Sequence, residues 1–387
     1  MSVMASRVQQ FGTTIFTEMT ALARQHQAIN LGQGFPDFEA PAFIKDAAQR
    51  AVANDVNQYA PLRGQPRLRQ AIADKVLKYE GRHVDPDREV AVMVGATEGI
   101  FATIMGLVNP GDEVVLFEPY YDSYVPAVQF AGGVPRYYTL QAPDWQIDSE
   151  QLEALFSAKT KLVMINTPHN PTGKIFSRVE LQLIADLCQK YDVIAVVDGV
   201  YEHIIFDDAE HLSIATFPGM ADRTVMISSL GKTFSVTGWK VGWTVASAEI
   251  TTAIMRVYQF VTFSGIAPVQ EAAADAFIEA ERVGFYDELA TMYQAKRDIL
   301  LEALTQAGLP TITPRGTYYI MTDISGLDFA DDVAFCRHLT TQVGVAAIPP
   351  SAFYSDPAAG AGLARFTFCK RDEQLYKAAE RLAKATL

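Results

Sequence analysis

Little in this 387-residue chain could build a disulfide framework, a metal centre or a nucleic-acid surface. Its three cysteines, Cys188, Cys336 and Cys369, are far apart and show no ligand spacing, which argues against a bridged scaffold or a zinc site. The six histidines are equally scattered. His169 alone falls inside a motif, and a turn histidine with its own hydrogen bond is the simpler reading of it. Lys and Arg number 32 against 45 Asp and Glu, leaving a net charge of −13; DNA, RNA and anionic membranes need a basic footprint that is not here. No apolar run approaches a membrane span, and the segment Met1–Arg7 lacks a charged-then-apolar export pattern. Repeats, low-complexity linkers and long charge runs are missing too. A reducing cytoplasm and a small-molecule reaction are therefore expected.

What is present is a chain 49% hydrophobic and 20% charged, enough to bury the cores of two domains. Strand-like runs at 89–94, 113–118, 162–167, 193–198, 224–229 and 241–246 alternate with helical patterns. That alternation predicts an α/β fold with a mainly parallel sheet covered by helices. Beyond a long apolar-periodic stretch from Ala267 to Ala290, the pattern turns to helix, then to Pro310–Met321, then to helix and strand again. This second region reads as α+β.

Four of the strand ends carry chemistry. The strand from Thr224 delivers Lys232 into a small, hydroxyl-rich turn with Ser228, Ser229, Thr233, Ser235 and then Lys240. A lysine is a carbonyl nucleophile only when deprotonated, and burial beside another cation favours that form. Glu89–Val94 runs into Gly95-Ala96-Thr97 and a helical pattern, a cradle of small residues and unpaired N–H groups suited to phosphate. Leu162–Ile165 leads to Asn166-Thr-Pro-His-Asn170-Pro-Thr-Gly173, where prolines and glycine force a turn that holds two amides at fixed angles. Val193–Val197, apolar without alternation, stops on Asp198 and Tyr201. Ligands bind at this carboxyl rim in open α/β sheets.

These groups together match what pyridoxal phosphate requires. Lys232 would form the Schiff base, and Asp198 would pair with the ring nitrogen. Asn170 and Tyr201 would donate to the phenolic oxygen, and Gly95, Ala96, Thr97, Ser229 and Lys240 would hold the phosphate. Tyr121, in Pro119-Tyr-Tyr-Asp-Ser-Tyr124, could stack on the ring. Alone, Asp198 could equally be a helix cap, Asn170 a turn residue and Tyr121 ordinary core.

With these residues in place, the chain resembles the class I aminotransferases of the fold-type I pyridoxal-phosphate enzymes. Within them it is most similar to the bacterial methionine aminotransferases and the kynurenine/glutamine transaminase K branch. Leu31–Phe38, Asn57–Gly64, Asn166–Gly173, the Lys232 segment and Leu363–Phe368 match in order. The resemblance implies that Arg365 grips the substrate α-carboxylate, through the paired hydrogen bonds a guanidinium can make. Asn166 and Gly34 would border the same group. It further implies that Tyr59 reaches the cofactor phosphate of a second subunit and that Phe263 lines that subunit's substrate pocket, hence a homodimer with shared sites. Gly34 and Arg365 would both have to face Lys232. The expected division is therefore a large cofactor domain over 43–285 and a small domain built from 1–42 and 286–387, able to close over the site. Two positions depart from common family patterns: Gly199 stands where many relatives have Glu, and Lys240 where many have Arg, the latter shared with the kynurenine/methionine branch.

The implied reaction is transfer of an amino group from an L-amino acid to a 2-oxo acid, with Lys232 carrying the α-proton. No second arginine stands out for a dicarboxylate, whereas Phe16, Tyr59, Tyr121, Tyr124 and Phe263 could form an aromatic pocket, suited to methionine and aromatic side chains and open to glutamine or kynurenine. A carbon–sulfur β-lyase on the same residues is an alternative. A cofactor-sensing regulator is a distant one, because Met1–Ala28 supplies no basic DNA-binding module.

Overall fold

A computed structural model describes residues 3–9 and 11–385. Residues 1, 2, 386 and 387, at the ends of the expected small domain, and residue 10 within it, lie outside the described residues. The strands, in chain order, are β1 (Ile29–Asn30), β2 (Val90–Met93), β3 (Glu113–Glu118), β4 (Val134–Thr139), β5 (Thr160–Asn166), β6 (Ile194–Asp198), β7 (Thr224–Ser229), β8 (Gly242–Val245), β9 (Thr311–Ile312), β10 (Tyr319–Asp323), β11 (Val345–Ala346) and β12 (Leu363–Thr367). Seven of them form one sheet in the order β2-β8-β7-β6-β5-β3-β4. From β7 to β4 all neighbours are parallel, whereas β8 runs antiparallel to both β7 and β2.

All six strand-like runs of the sequence lie in this sheet. The sequence does not announce the seventh strand, β4, because it reads Val-Pro-Arg-Tyr-Tyr-Thr and is partly open to solvent on alternate residues. A proline at position 135 is tolerated there because β4 is an edge and need not complete a second ladder. The central strands are apolar throughout because successive side chains enter different cores. Val163, Ile165 and Val197 pack with Leu181, Ile184 and Cys188 of the helix Arg178–Tyr191. Leu162, Met164 and Val196 pack with Ile100 and Ile104 of the helix Ala96–Leu107. The first of these helices is started by a capping box, Ser177 with Glu180, which satisfies two donors that a helix start leaves open.

The stretch Ala267–Ala290 is not one helix. It divides into Ala267–Val283 and Phe285–Gln306 at Gly284, which adopts φ +71°, a left-handed conformation that ends helices and suits glycine. Chain ends then meet: β1 pairs in parallel with β11, and β12-β10-β9 forms a small antiparallel sheet. Met19 and Leu31 share a core with Leu300, Phe335, Phe366 and Leu375, and Val200 and Tyr201 join it. The segment between β9 and β10 docks on the Asn-rich turn, with the Arg315 and Gly316 N–H groups donating to the Gly173 carbonyl at 3.0 Å. This packing brings elements far apart in sequence to the carboxyl edge of the main sheet.

Candidate active site

Along that edge, Asn166 and Asp198 are the last residues of adjacent parallel strands and register partners, and Ser229 ends the next strand. They open into a cavity of about 300 Å³. Of the residues singled out from the sequence, Phe16, Gly34, Gly95, Ala96, Thr97, Tyr121, Asn166, Asn170, Asp198, Tyr201, Ser229, Lys232 and Lys240 all line it. Arg365 lies just behind the wall, fully buried, and its Nη1 donates to Asn170 Oδ1 at 3.1 Å. Tyr59 and Phe263 are elsewhere: their rings meet edge to face, 5.6 Å apart, on an exposed surface.

One end of the cavity is shaped for an anion. Gly95, at φ +83°, precedes the helix Ala96–Leu107, whose first N–H groups have no carbonyl a turn earlier to bind. The neighbouring carboxylate is already used, since Glu98 accepts from the Val94 N–H at 2.6 Å and bonds the Thr262 hydroxyl. A Cβ on Gly95 would sit 3.1 Å from the Lys240 Nζ, and one on Gly242 would meet the Gly95 carbonyl carbon at 2.5 Å and the Ala96 nitrogen at 2.6 Å. Side chains at either glycine would fill or displace the cradle. Ser229, Lys240 and the helix start thus fit a phosphate ester, and Asp198 and Lys232 line the same cavity.

Asp198 is buried and accepts from the Tyr124 hydroxyl at 2.7 Å and from the Val200 N–H at 3.3 Å. Burial raises its pKa, while Tyr124, Val200 and the charge of Lys232 hold it down. This corrects the place of Tyr124, which is not a wall of the substrate pocket: it is buried, and its hydroxyl serves Asp198. Asn166 lines the cavity, but its Nδ2 donates to the Asp198 carbonyl at 2.8 Å and its Oδ1 accepts from the Asn170 N–H at 2.7 Å. Its amide is thus engaged in fixing two strand ends. Asn170, with its oxygen taken by Arg365, has its N–H₂ to offer the cavity. Tyr201 is buried, 3.3 Å from the Tyr319 hydroxyl.

Lys232 Nζ donates to the Tyr318 hydroxyl at 2.9 Å and to the Gly34 carbonyl at 3.3 Å. Its pKa is pushed down to about 8, first by burial and then by Arg365 and Lys240, against Cys369 and Asp198. The amine is therefore partly neutral near physiological pH, as a nucleophile requires. Arg365 stacks against the Tyr319 ring, its guanidinium carbon 4.3 Å from the centroid, and its Nε is buried with no hydrogen-bond partner among the described residues. A buried donor left open in this way is ready for a carboxylate.

Several contributors carry no local signal in the sequence. Tyr318, Tyr319 and Lys370 lie outside the motifs, and Gln33, Phe35 and Asp122 lie inside them with no role assigned, although the paired tyrosines in Pro310–Met321 are aromatic rings with polar tips, a reason to ask what those tips bind. Around Gly34 the loop has no ladder, and side chains bind its carbonyls in succession. Arg365 Nη2 donates to Gly32 at 2.9 Å, and Lys370 Nζ donates to Gln33 at 3.1 Å and to Phe35 at 2.8 Å. Tyr318 donates to Gly34 at 2.6 Å. A side chain on Gly34 would strike the Tyr319 hydroxyl, its Cβ only 1.8 Å away.

Among the described residues there is no group of three His, Cys, Asp or Glu that could hold a metal ion, and no helix long and apolar enough to cross a membrane. A family model described as aminotransferase class I and II matches residues 26–382. The chain is 44% identical to the methionine aminotransferase of Escherichia coli K12 over 97% of both chains. It is 42% identical to the kynurenine–oxoglutarate transaminase of Dictyostelium discoideum over 98% of this chain and 96% of that one. The crystal structure of the Escherichia coli protein YbdL, described as having a methionine aminotransferase function, superposes with a TM-score of 0.95 at 42% identity over the full length of both chains. The N-succinyldiaminopimelate aminotransferase of Mycobacterium tuberculosis does so with a TM-score of 0.94 at 43% identity, covering 98% of this chain and 99% of that one.

Proposed function

The chain belongs to the class I and II aminotransferases, and we propose that this pyridoxal-phosphate enzyme acts in the cytoplasm, where its three unpaired thiols stay reduced, with methionine and aromatic L-amino acids as its preferred amino donors. The observation that carries the site assignment is the buried Lys232 amine in one cavity with Asp198 and the anion cradle. When bound, pyridoxal phosphate supplies an aldehyde that condenses with amines and a ring that accepts the electron pair released at the α-carbon. Gly95, Ala96, Thr97, Ser229 and Lys240 would anchor its phosphate, Asn170 and Tyr201 its phenolic oxygen, and Tyr121 its ring face.

The protein's own groups then divide the work. Asp198 places a negative charge where a proton must stay on the ring nitrogen. Arg365, already braced by Gly32 and Asn170, binds the substrate carboxylate and so fixes which bond at the α-carbon faces Lys232. Lys232 takes the α-proton and would return it two bonds away, on the carbon across the amino nitrogen. Residues 1–42 and 286–387 act as the small domain, a division supported by the β1–β11 pairing and the shared core, and the loop at Gly34 screens the reacting atoms from water.

The preference for methionine and aromatic donors follows from the lining. Phe16, Phe35, Tyr121 and Tyr319 line the cavity, none of the described residues lining it is an arginine, and Asp122 adds a carboxylate. A second carboxylate on the substrate would find no partner and a like charge. In single-turnover experiments, L-methionine is expected to bleach the yellow protein with one equivalent of oxo acid per site, at least ~10-fold faster than L-aspartate; faster bleaching by aspartate would refute the preference.

A homodimer with shared sites completes the reading. Tyr59, Phe260, Val261, Phe263 and Ile266 are all about half exposed or more, Phe260 at 86%, a cluster of large apolar groups that marks an association surface. Sedimentation is expected to give twice the chain mass at micromolar concentration. A fully active monomer would show that Tyr59 and Phe263 serve no second subunit.

A further inference from the structure

Tyr318 is wholly buried and is not among the residues that line the cavity; Lys232 is. The phenol therefore stands behind the amine, on the side away from the space where substrate binds. Its single proton is committed, since it donates to the Gly34 carbonyl at 2.6 Å. Towards Lys232, at 2.9 Å, its oxygen can only accept. The amine donates a second time, to Gly34 itself, at 3.3 Å. A neutral amine has two N–H bonds and one lone pair. The two acceptor oxygens are only 2.6 Å apart and lie on one side of the nitrogen, so donation to them turns the rest of the nitrogen, its lone pair included, towards the cavity.

We infer that Tyr318 is a positioning residue for proton transfer: with the Gly34 carbonyl it accepts from Lys232 on the side away from substrate, so that the site which gains and loses the proton faces the substrate α-carbon. This rests on Lys232 being the reacting amine. A lysine side chain is otherwise a flexible four-carbon stem whose head can rotate, and proton transfer requires the donor and acceptor orbitals aligned at hydrogen-bond distance. Burial keeps the Tyr318 phenol un-ionised, its pKa well above the usual value, so the acceptor does not turn into a competing anion. The rings of Tyr201, Tyr293 and Tyr319 pack around Tyr318 with centroids 5.1, 5.8 and 4.9 Å away, which fixes the phenol in turn.

The experiment is Tyr318→Phe, which removes one oxygen and keeps the ring. In the loaded enzyme the turnover number is expected to fall about tenfold with the methionine KM nearly unchanged. The isotope effect from α-deuterated methionine should rise, because proton transfer becomes the slow step. A second readout is independent of turnover: protein freed of cofactor takes up pyridoxal phosphate at a rate that tracks the unprotonated fraction of Lys232. The charged or titratable groups acting on that amine are Asp198, Arg365, Lys240 and the Cys369 thiol, and the variant retains them all. Because an oxygen acceptor favours the ammonium over the amine, its removal should move the midpoint of the uptake profile to lower pH. An unchanged isotope effect with an unchanged midpoint overturns the assignment. If the Phe variant fails to fold, 3-fluorotyrosine at 318 keeps the shape with a weaker acceptor and should shift the midpoint the same way by less; no shift also overturns it. Full activity in a Lys232→Ala protein would instead remove the premise, whatever Tyr318 does.

Discussion

Lys232→Ala is expected to lose at least ~10⁴-fold in turnover with L-methionine, because in the proposed mechanism it removes the nucleophilic amine and the proton carrier in one change. The loss should be confined to chemistry. Tyr318 still donates to Gly34, so the loop above the site keeps a hydrogen bond there, and the phosphate cradle contains no atom of Lys232. Pyridoxal phosphate should therefore still bind, but come away on gel filtration. Single-turnover absorbance, with cofactor content measured before and after filtration, separates the two effects. Turnover within tenfold of the parent would mean that another group carries the proton.

Asp198→Asn should lower turnover by about 10³-fold, the scale on which a buried, hydrogen-bonded charge pair is valued when one charge is removed. The substitution is nearly isosteric, and its partners can adapt. Val200 can still donate to the amide oxygen, and the Tyr124 hydroxyl can reverse and accept from the amide nitrogen. The fold should survive while the negative charge disappears, which isolates electrostatics from geometry. Asp198→Glu keeps the charge but moves it by one methylene, and it should recover part of the rate. Equal losses in the two variants would show that position, and not charge, is what Asp198 supplies.

How far these roles could be read in the sequence depends on whether a residue's partners are local. Asn166, Asp198 and Ser229 end apolar runs, and a polar residue at the end of a both-sides-buried strand has only the sheet's rim to occupy. Gly95 could be read as well, since a glycine between a strand and a helix is a recurrent backbone need. The sheet order and the edge strand β4 could not. Strand pairing is a choice among many registers, and β4 carries a proline and few buried side chains. Tyr318 and Lys370 were invisible for a different reason. Their partners lie at Gly34, Gln33 and Phe35, some three hundred residues away in the chain, and nothing near either residue distinguishes it from an ordinary tyrosine or a surface lysine. Tyr124 shows the reverse case: the motif around it marked it as important, but only the three-dimensional contact told that its hydroxyl serves Asp198.

The carbonyls from Gly32 to Phe35 are fastened by Arg365, Lys370, Tyr318 and Lys232. Two of these fasteners have other employment in the proposed mechanism, where Lys232 is the reacting amine and Arg365 the carboxylate's partner. Whatever engages the Lys232 nitrogen withdraws a donor from the Gly34 carbonyl, whereas Lys370 and Tyr318 remain in place. The loop is thus tied by fewer bonds while the Lys232 nitrogen is covalently engaged in the resting enzyme and most firmly once substrate has freed that amine to carry the proton, so the tightness over the site is timed by the state of one nitrogen and needs no hinge of its own.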